Sequence, residues 1–277
     1  MKILFKKALE NIIFSNLLVS ISIGTLCYGI CHQLKIPNEL WYGIFVFSST
    51  LLTYNFQRLI KSNQIIQNPT NHILWVQTHK KNLNILFFSS SILCLISFLK
   101  VYNWGFISGF ILSISMITSL LYVYKFKEKS LRDIPHLKIH LIAIIWVVAI
   151  GVFELLNEQN FKFENWLFVF AHYFYIVAIT IPFDIRDLKY DDSNQRTIPQ
   201  VFGIKKAKII SVLFLIIYFL IAINQQKNLI KNTPFISVII YTNILIVLVG
   251  KNRKEFYYSG LIEGSIFLIG LSLLFKS

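Results

Sequence analysis

Residues 176–192 read IVAITIPFDIRDLKYDD, an apolar run that becomes rich in charged residues at Asp184. On a helix, Asp184, Asp187 and Asp191 lie at positions i, i+3 and i+7, so their carboxylates share one face. Carboxylates that close together repel one another unless a cation lies between them. Mg²⁺ is a hard ion that binds one or two carboxylates together with water and phosphate oxygens. The stretch therefore indicates either a magnesium-dependent phosphate site or the solvated, charged end of a membrane helix.

The rest of the chain is unusually apolar. Of its 277 residues, 55% are hydrophobic and 14% are charged, whereas a soluble domain is about 25% charged. Apolar runs of roughly twenty residues recur along the whole length, and each is long enough to cross a bilayer as a helix. We predict an all-α, polytopic membrane protein with a single domain over 1–277. Its nine spans are predicted at 12–32, 38–57, 82–99, 103–124, 138–157, 164–183, 207–223, 234–250 and 257–275.

The net charge of +14 is distributed by side of the membrane. The N-terminal segment and the loops after the second, fourth, sixth and eighth runs, counted with Lys138 and Lys208 at the starts of the following runs, hold 21 of the 27 Lys and Arg residues. Positive residues collect in cytoplasmic loops, where they also attract anionic lipid. This pattern accounts for the basic charge without a nucleic-acid partner. It predicts a cytoplasmic N-terminus, a C-terminus on the opposite side, and a cytoplasmic location for the acidic segment at Asp184.

A second polar segment ends the second run, on the same predicted side. Asn55, Arg58 and Ser62 repeat the i, i+3, i+7 spacing of the three aspartates. Two further cations, Lys125 after the fourth run and Arg196 after the acidic segment, are predicted to reach a phosphate at this mouth.

Glu263 lies within the predicted ninth run, where a carboxylate is costly enough to suggest a function. A start of that run near Leu261 would instead leave Glu263 at the membrane interface. Both interpretations remain open on the sequence.

The acidic segment also carries a family resemblance. Asp184-x-x-Asp187-x-x-x-Asp191, followed by Arg196-Thr197-Ile198-Pro199 and Gly203, resembles the second aspartate-rich motif of the UbiA-type intramembrane prenyltransferases. The nine-span plan fits the same family.

The resemblance implies a polyprenyl diphosphate bound at the cytoplasmic mouth and transfer of its prenyl group to a small acceptor, often aromatic. It implies Mg²⁺ as the cofactor, with three aspartates as metal ligands and catalytic residues. It also implies contacts from the basic and amide side chains near the mouth to the diphosphate. The aspartates are Asp184, Asp187 and Asp191, and the predicted diphosphate ligands are Asn55, Arg58, Lys125 and Arg196.

This chain departs from the family at the first aspartate-rich motif. Its Asn is present as Asn55, but the positions of the two aspartates hold Arg58 and Ser62, or Leu59 and Asn63 on the alternative spacing. No acid occurs between Glu39 and Glu128. A guanidinium forks onto phosphate oxygens without a metal, although it is a weaker Lewis acid than Mg²⁺. We therefore expect Arg58 to contact the diphosphate in place of a metal.

Three functions follow from these features. The first is a prenyltransferase, and the second is a related membrane protein that binds isoprenoid lipid without cleaving it. The third is a small-solute transporter with an acidic mouth, which the scarcity of charge inside the runs disfavours.

Overall fold

The computed structural model describes residues 9–62, 71–122, 124, 130–250 and 253–275. These ranges are helical, with no strand among them. The helices are α1 Leu17–Leu34, α2 Glu39–Ser62, α3 Asn71–Thr78, α4 Lys80–Val101, α5 Phe106–Leu121, α6 Leu137–Asn157, α7 Phe163–Asp187, α8 Ile198–Gln225, α9 Thr233–Leu248 and α10 Phe256–Ser272. Helix α6 contains a π-helical turn at Val148–Val152, and α10 opens with another at Phe256–Ile262.

Each predicted apolar run overlaps one of these helices. Five of them, α1, α4, α6, α7 and α8, are long and apolar enough to cross a membrane. Helices α5, α9 and α10 are apolar but shorter, with 16, 16 and 17 residues. Helix α3 lies in a stretch that the sequence indicated as a loop. The structure thus shows an all-helical protein with several membrane-length helices.

The surface of the bundle has the polarity expected of a protein in lipid. On α4, Leu83, Ser90 and Ser97 are buried, while Phe88 is 66% exposed and Ile92 is 63% exposed. An exposed apolar face of this kind is unfavourable in water and favourable in hydrocarbon. The small serines face inward, where they allow helices to approach closely.

The helices follow one another around the bundle. Helix α1 packs on α2, α2 on α4, α6 on α7, α7 on α8, α8 on α9, and α9 on α10. Helix α10 packs back on α1 and closes the arrangement.

Two separate groups of polar side chains lie near the ends of the predicted runs. The Tyr42 hydroxyl donates to Glu158 at 2.6 Å, and the Asn103 amide donates to the same carboxylate at 3.1 Å. The Asn228 amide donates to Gln33, also at 3.1 Å. The first group joins α2 to the residues that follow α4 and α6, and the second joins the end of α1 to the residues that follow α8.

Two glycines allow α1 and α10 to touch through their backbones. A Cβ on Gly270 would lie 2.6 Å from the carbonyl oxygen of Thr25, and a Cβ on Gly29 would collide with the carbonyl oxygen of Gly270. Both positions therefore require the absence of a side chain.

We expect Gly270→Ala to destabilise the protein by about 1–3 kcal/mol, because the added methyl group forces two packed helices apart. The measurement is the midpoint of thermal unfolding in detergent micelles. Gly264→Ala is the matched control, since it lies on the same helix with no atom within 4 Å of the added Cβ. It should leave the midpoint unchanged or raise it, because alanine is the better helix former. Equal loss from both variants would contradict the close contact at Gly270.

Candidate functional site

The acidic segment projects from a part of α7 that α8 holds in place. Pro182 lies inside α7, two residues before Asp184. Because proline has no N–H, the carbonyl of Ala178 loses its usual helical partner. The Ser211 hydroxyl of α8 donates to that buried carbonyl at 2.6 Å. A side chain of α8 therefore completes the hydrogen bonding of α7 just before the site.

The residues after the acidic segment build the start of α8. The Thr197 N–H donates to Gln200 Oε1 at 2.8 Å, and Pro199 lies in the first turn. Both features favour a helix start, so α8 begins at Ile198 and not near 207 as predicted. Gly203, at φ 76° and ψ 163°, then kinks the helix in a conformation that is almost restricted to glycine.

Two of the three aspartates meet at one lysine. Lys138, in the first turn of α6, places Nζ 2.9 Å from Asp184 Oδ1 and 2.5 Å from Asp191 Oδ2. Arg132 Nη2 lies 3.5 Å from the other oxygen of Asp191. We call Arg132, Lys138, Asp184 and Asp191 the lysine cluster. It ties the start of α6 to the end of α7.

The third aspartate turns to a different cation. Arg186 donates to both oxygens of Asp187, at 2.7 Å and 3.1 Å, and to Glu255 at 2.8 Å. Its guanidinium also lies over the ring of Phe183, 5.0 Å from the centroid. We call Arg186, Asp187 and Glu255 the arginine cluster. It ties the end of α7 to the start of α10.

Helix geometry explains why the three carboxylates divide in this way. At about 100° per residue, Asp191 lies roughly 20° from Asp184 around the helix, whereas Asp187 lies roughly 60° away. Helix α7 ends at Asp187, but the Asp191 N–H still donates to the Asp187 carbonyl at 2.9 Å, which preserves the register. The predicted shared face therefore brings Asp184 and Asp191 to one cation and leaves Asp187 beside it.

The predicted diphosphate ligands of α2 belong to a third group of polar residues. Asn16 Nδ2 donates to Asn55 Oδ1 at 2.9 Å, and Arg58 Nε donates to Asn16 Oδ1 at 2.7 Å. Asn55 and Asn16 are both buried. The sequence analysis missed Asn16, although an asparagine within the first apolar run is itself a signal. Asn55 and Arg58 thus share one buried amide.

Glu263 lies near both this third group and the arginine cluster. Its half-buried carboxylate, on α10, lies within electrostatic range of both Arg58 and Arg186. Tyr54, four residues before Arg58, lies within the same range of Glu263 and of Tyr122. Glu263 is thus an acid near both arginines that neither motif supplies.

A short loop closes the lysine cluster from outside. The Ser130 N–H and hydroxyl donate to Asp133 Oδ2 at 2.9 Å and 2.7 Å, and Gln195 Nε2 donates to Asp133 Oδ1 at 3.2 Å. Burial acts to raise the pKa of Asp133, but the hydrogen bonds from Ser130 outweigh it and hold that pKa below its usual value. An ionised Asp133 thus joins the loop at residues 130–136 to the loop at residues 193–197.

The other two predicted phosphate ligands are Arg196 and Lys125. Arg196 is exposed and lines a small cavity together with Lys138 and Asp184. Lys125 lies outside the described residues.

A Mg²⁺ ion at the predicted site would need oxygens that the chain's own cations already contact. Lys138 lies between Asp184 and Asp191, and Arg186 covers both oxygens of Asp187. Over the described ranges, no three His, Cys, Asp or Glu side chains are grouped to hold a metal. The residues present do not fit Mg²⁺ while these ion pairs are intact, and the cofactor stays a prediction.

Comparison of the chain with models of known families, with curated proteins and with solved structures found no match. The resemblance to the UbiA-type prenyltransferases therefore rests on the residues quoted above.

We expect Ser211→Ala to lower the midpoint of thermal unfolding, because it leaves the buried Ala178 carbonyl without a donor. The cost of such a group is about 1–3 kcal/mol. Pro182→Ala restores an N–H to α7, so Ser211→Ala should cost much less in that background. A Ser211→Ala effect of the same size in both backgrounds would show that the hydroxyl does not replace the missing N–H.

Proposed function

We propose that the protein crosses the membrane nine times, with its N-terminus in the cytoplasm and its C-terminus on the opposite side. Helices at all nine predicted positions and the exposed apolar faces support this proposal. The asymmetry of Lys and Arg supports the orientation.

We propose further that the polar end of the bundle binds a polyprenyl diphosphate and transfers its prenyl group to a small acceptor. One observation carries this proposal: Arg186, in the segment that resembles a prenyltransferase motif, lies within electrostatic range of Arg58 at the end of α2, and Arg132 contacts Asp191 of the same segment. Guanidinium groups match the oxygen geometry of a diphosphate, and the apolar bundle suits the hydrocarbon tail.

The reaction needs few groups from the chain. The carbon–oxygen bond to the diphosphate breaks, the diphosphate leaves with the bonding electrons, and the acceptor attacks the allylic cation and loses a proton. Arginines that contact the leaving diphosphate stabilise its charge. The half-buried rings of Tyr54 and Tyr122, near the mouth, present π-faces that attract a carbocation.

A second candidate function is binding of the isoprenoid diphosphate without transfer. The ion pairs favour it, because Lys138 and Arg186 neutralise the three aspartates that would otherwise hold a metal. Turnover separates the two functions. Release of diphosphate from bound geranylgeranyl diphosphate, with an aromatic acceptor present, supports transfer. Tight binding with no release under any metal condition supports the second function.

We expect Arg58→Ala to weaken binding of geranylgeranyl diphosphate about ten- to a hundredfold, which corresponds to the loss of one charged hydrogen bond of about 1.5–3 kcal/mol. Binding of geranylgeraniol, which lacks the charge, should change little. Isothermal titration in detergent measures both affinities. Arg58→Lys should recover only part of the loss, because an ammonium lacks the guanidinium fork.

Lys205→Ala is the control for net charge, since Lys205 is exposed on the same predicted side. It should leave both affinities unchanged. Equal weakening of the diphosphate and the alcohol by Arg58→Ala would mean that Arg58 supports the fold through Asn16 and does not bind phosphate.

A further inference from the structure

We propose that Lys138 is a built-in cation that bridges Asp184 and Asp191 at the point where a divalent metal would bind. The carboxylate pair is then assembled without metal. One consequence rests on the proposed function: the diphosphate would bind without a metal ion at this carboxylate pair. The test of this role for Lys138 needs no lipid.

The three charges are almost entirely removed from water. The side chains of Lys138, Asp184 and Asp191 are 9%, 2% and 6% exposed. Buried carboxylates need a partner, because an isolated buried charge is strongly unfavourable. Lys138 supplies that partner to both carboxylates, and Arg132 supplies a second positive charge to Asp191. Two carboxylates and two cations leave the lysine cluster neutral.

The surroundings of Lys138 are rich in oxygen. A cavity of about 40 Å³ is lined by Lys138, Asp184, Gln195 and Thr197 among others. Gln195 Oε1 is buried and makes no hydrogen bond. The orientation of the Gln195 amide is fixed, because its nitrogen donates to the Asp133 carboxylate. Carboxylate, amide and hydroxyl oxygens are the ligands that hard cations take, and an ammonium is the hard cation that the chain itself provides.

Local structure does not explain a lysine at this position. Lys138 lies in the first turn of α6, where the helix dipole disfavours a positive charge. It is buried where Lys residues are usually exposed. The contacts with Asp184 and Asp191 explain the lysine at position 138, whereas the position in α6 does not.

Lys138 and a metal ion compete for the same oxygens. A divalent ion between Asp184 and Asp191 would lie within a few ångströms of the ammonium, and the two cations would repel each other strongly in a poorly solvated site. Removal of the ammonium leaves Asp184 without its cation, Asp191 with Arg132 alone, the unpaired Gln195 oxygen and a cavity large enough for a water molecule. That arrangement would bind Mg²⁺.

The experiment compares thermal unfolding of wild-type protein and Lys138→Met in detergent, with EDTA or with Mg²⁺ at equal ionic strength. We expect Mg²⁺ to leave the wild-type midpoint unchanged. Lys138→Met should unfold at a lower temperature in EDTA and regain most of the difference in Mg²⁺. Adding Asp191→Asn to Lys138→Met should abolish that recovery. Lys189→Met, an exposed lysine on the same loop as Asp191, should behave as wild type.

A direct readout covers the case in which Lys138→Met does not fold. Mn²⁺ binding to the wild-type protein, followed by electron paramagnetic resonance, should be the same as its binding to Asp191→Asn. A wild-type Mn²⁺ site that Asp191→Asn removes would overturn the proposal, as would a folded Lys138→Met that does not respond to Mg²⁺. Diphosphate binding is measured separately, so the proposal for Lys138 and the proposed function can each fail while the other holds.

Discussion

The structure depends on one constraint: inside a membrane bundle, a polar group has to find its partner within the protein, because lipid offers none. Three polar contacts between helices meet this constraint. Pro182 frees a carbonyl on α7, and Ser211 of α8 supplies the donor. Asn16 satisfies Asn55 and Arg58 together. Two aspartates at the end of α7 share a lysine of α6. Each of these contacts also fixes the position of one helix against another.

The same constraint concentrates charge at one end of the bundle. Arginines, lysine and carboxylates from α2, α6, α7 and α10 neutralise one another there. This leaves a mouth that is densely charged and close to neutral overall. A diphosphate that enters it has to compete with internal carboxylates for the arginines, so the cost of separating existing ion pairs is part of any binding energy. Specificity for a charged headgroup over an alcohol depends on how many of those pairs reorganise.

The two departures from the UbiA-type pattern share one feature, which is a side-chain cation near the predicted metal site. The segment at the end of α2 carries Arg58 where the resemblance would place an aspartate, and the aspartates of α7 contact Lys138 and Arg186. If the proposed function is correct, a side-chain cation stands in both places where the resemblance implies a metal. Such a site would not depend on the supply of a divalent ion, because its cations are part of the chain.

The sequence by itself determined the helical membrane architecture and the acidic segment at the end of one helix, because periodicity and hydropathy are local properties. The spacing of Asp184, Asp187 and Asp191 also predicted that carboxylates would gather on one face. Only the tertiary structure decided which cation each carboxylate contacts. Lys138 was one of several basic residues in a loop until α6 packed against α7, and Asn16 was one polar residue in an apolar run until α1 packed against α2. The choice of partner depends on distances between helices, and a linear pattern does not contain those distances.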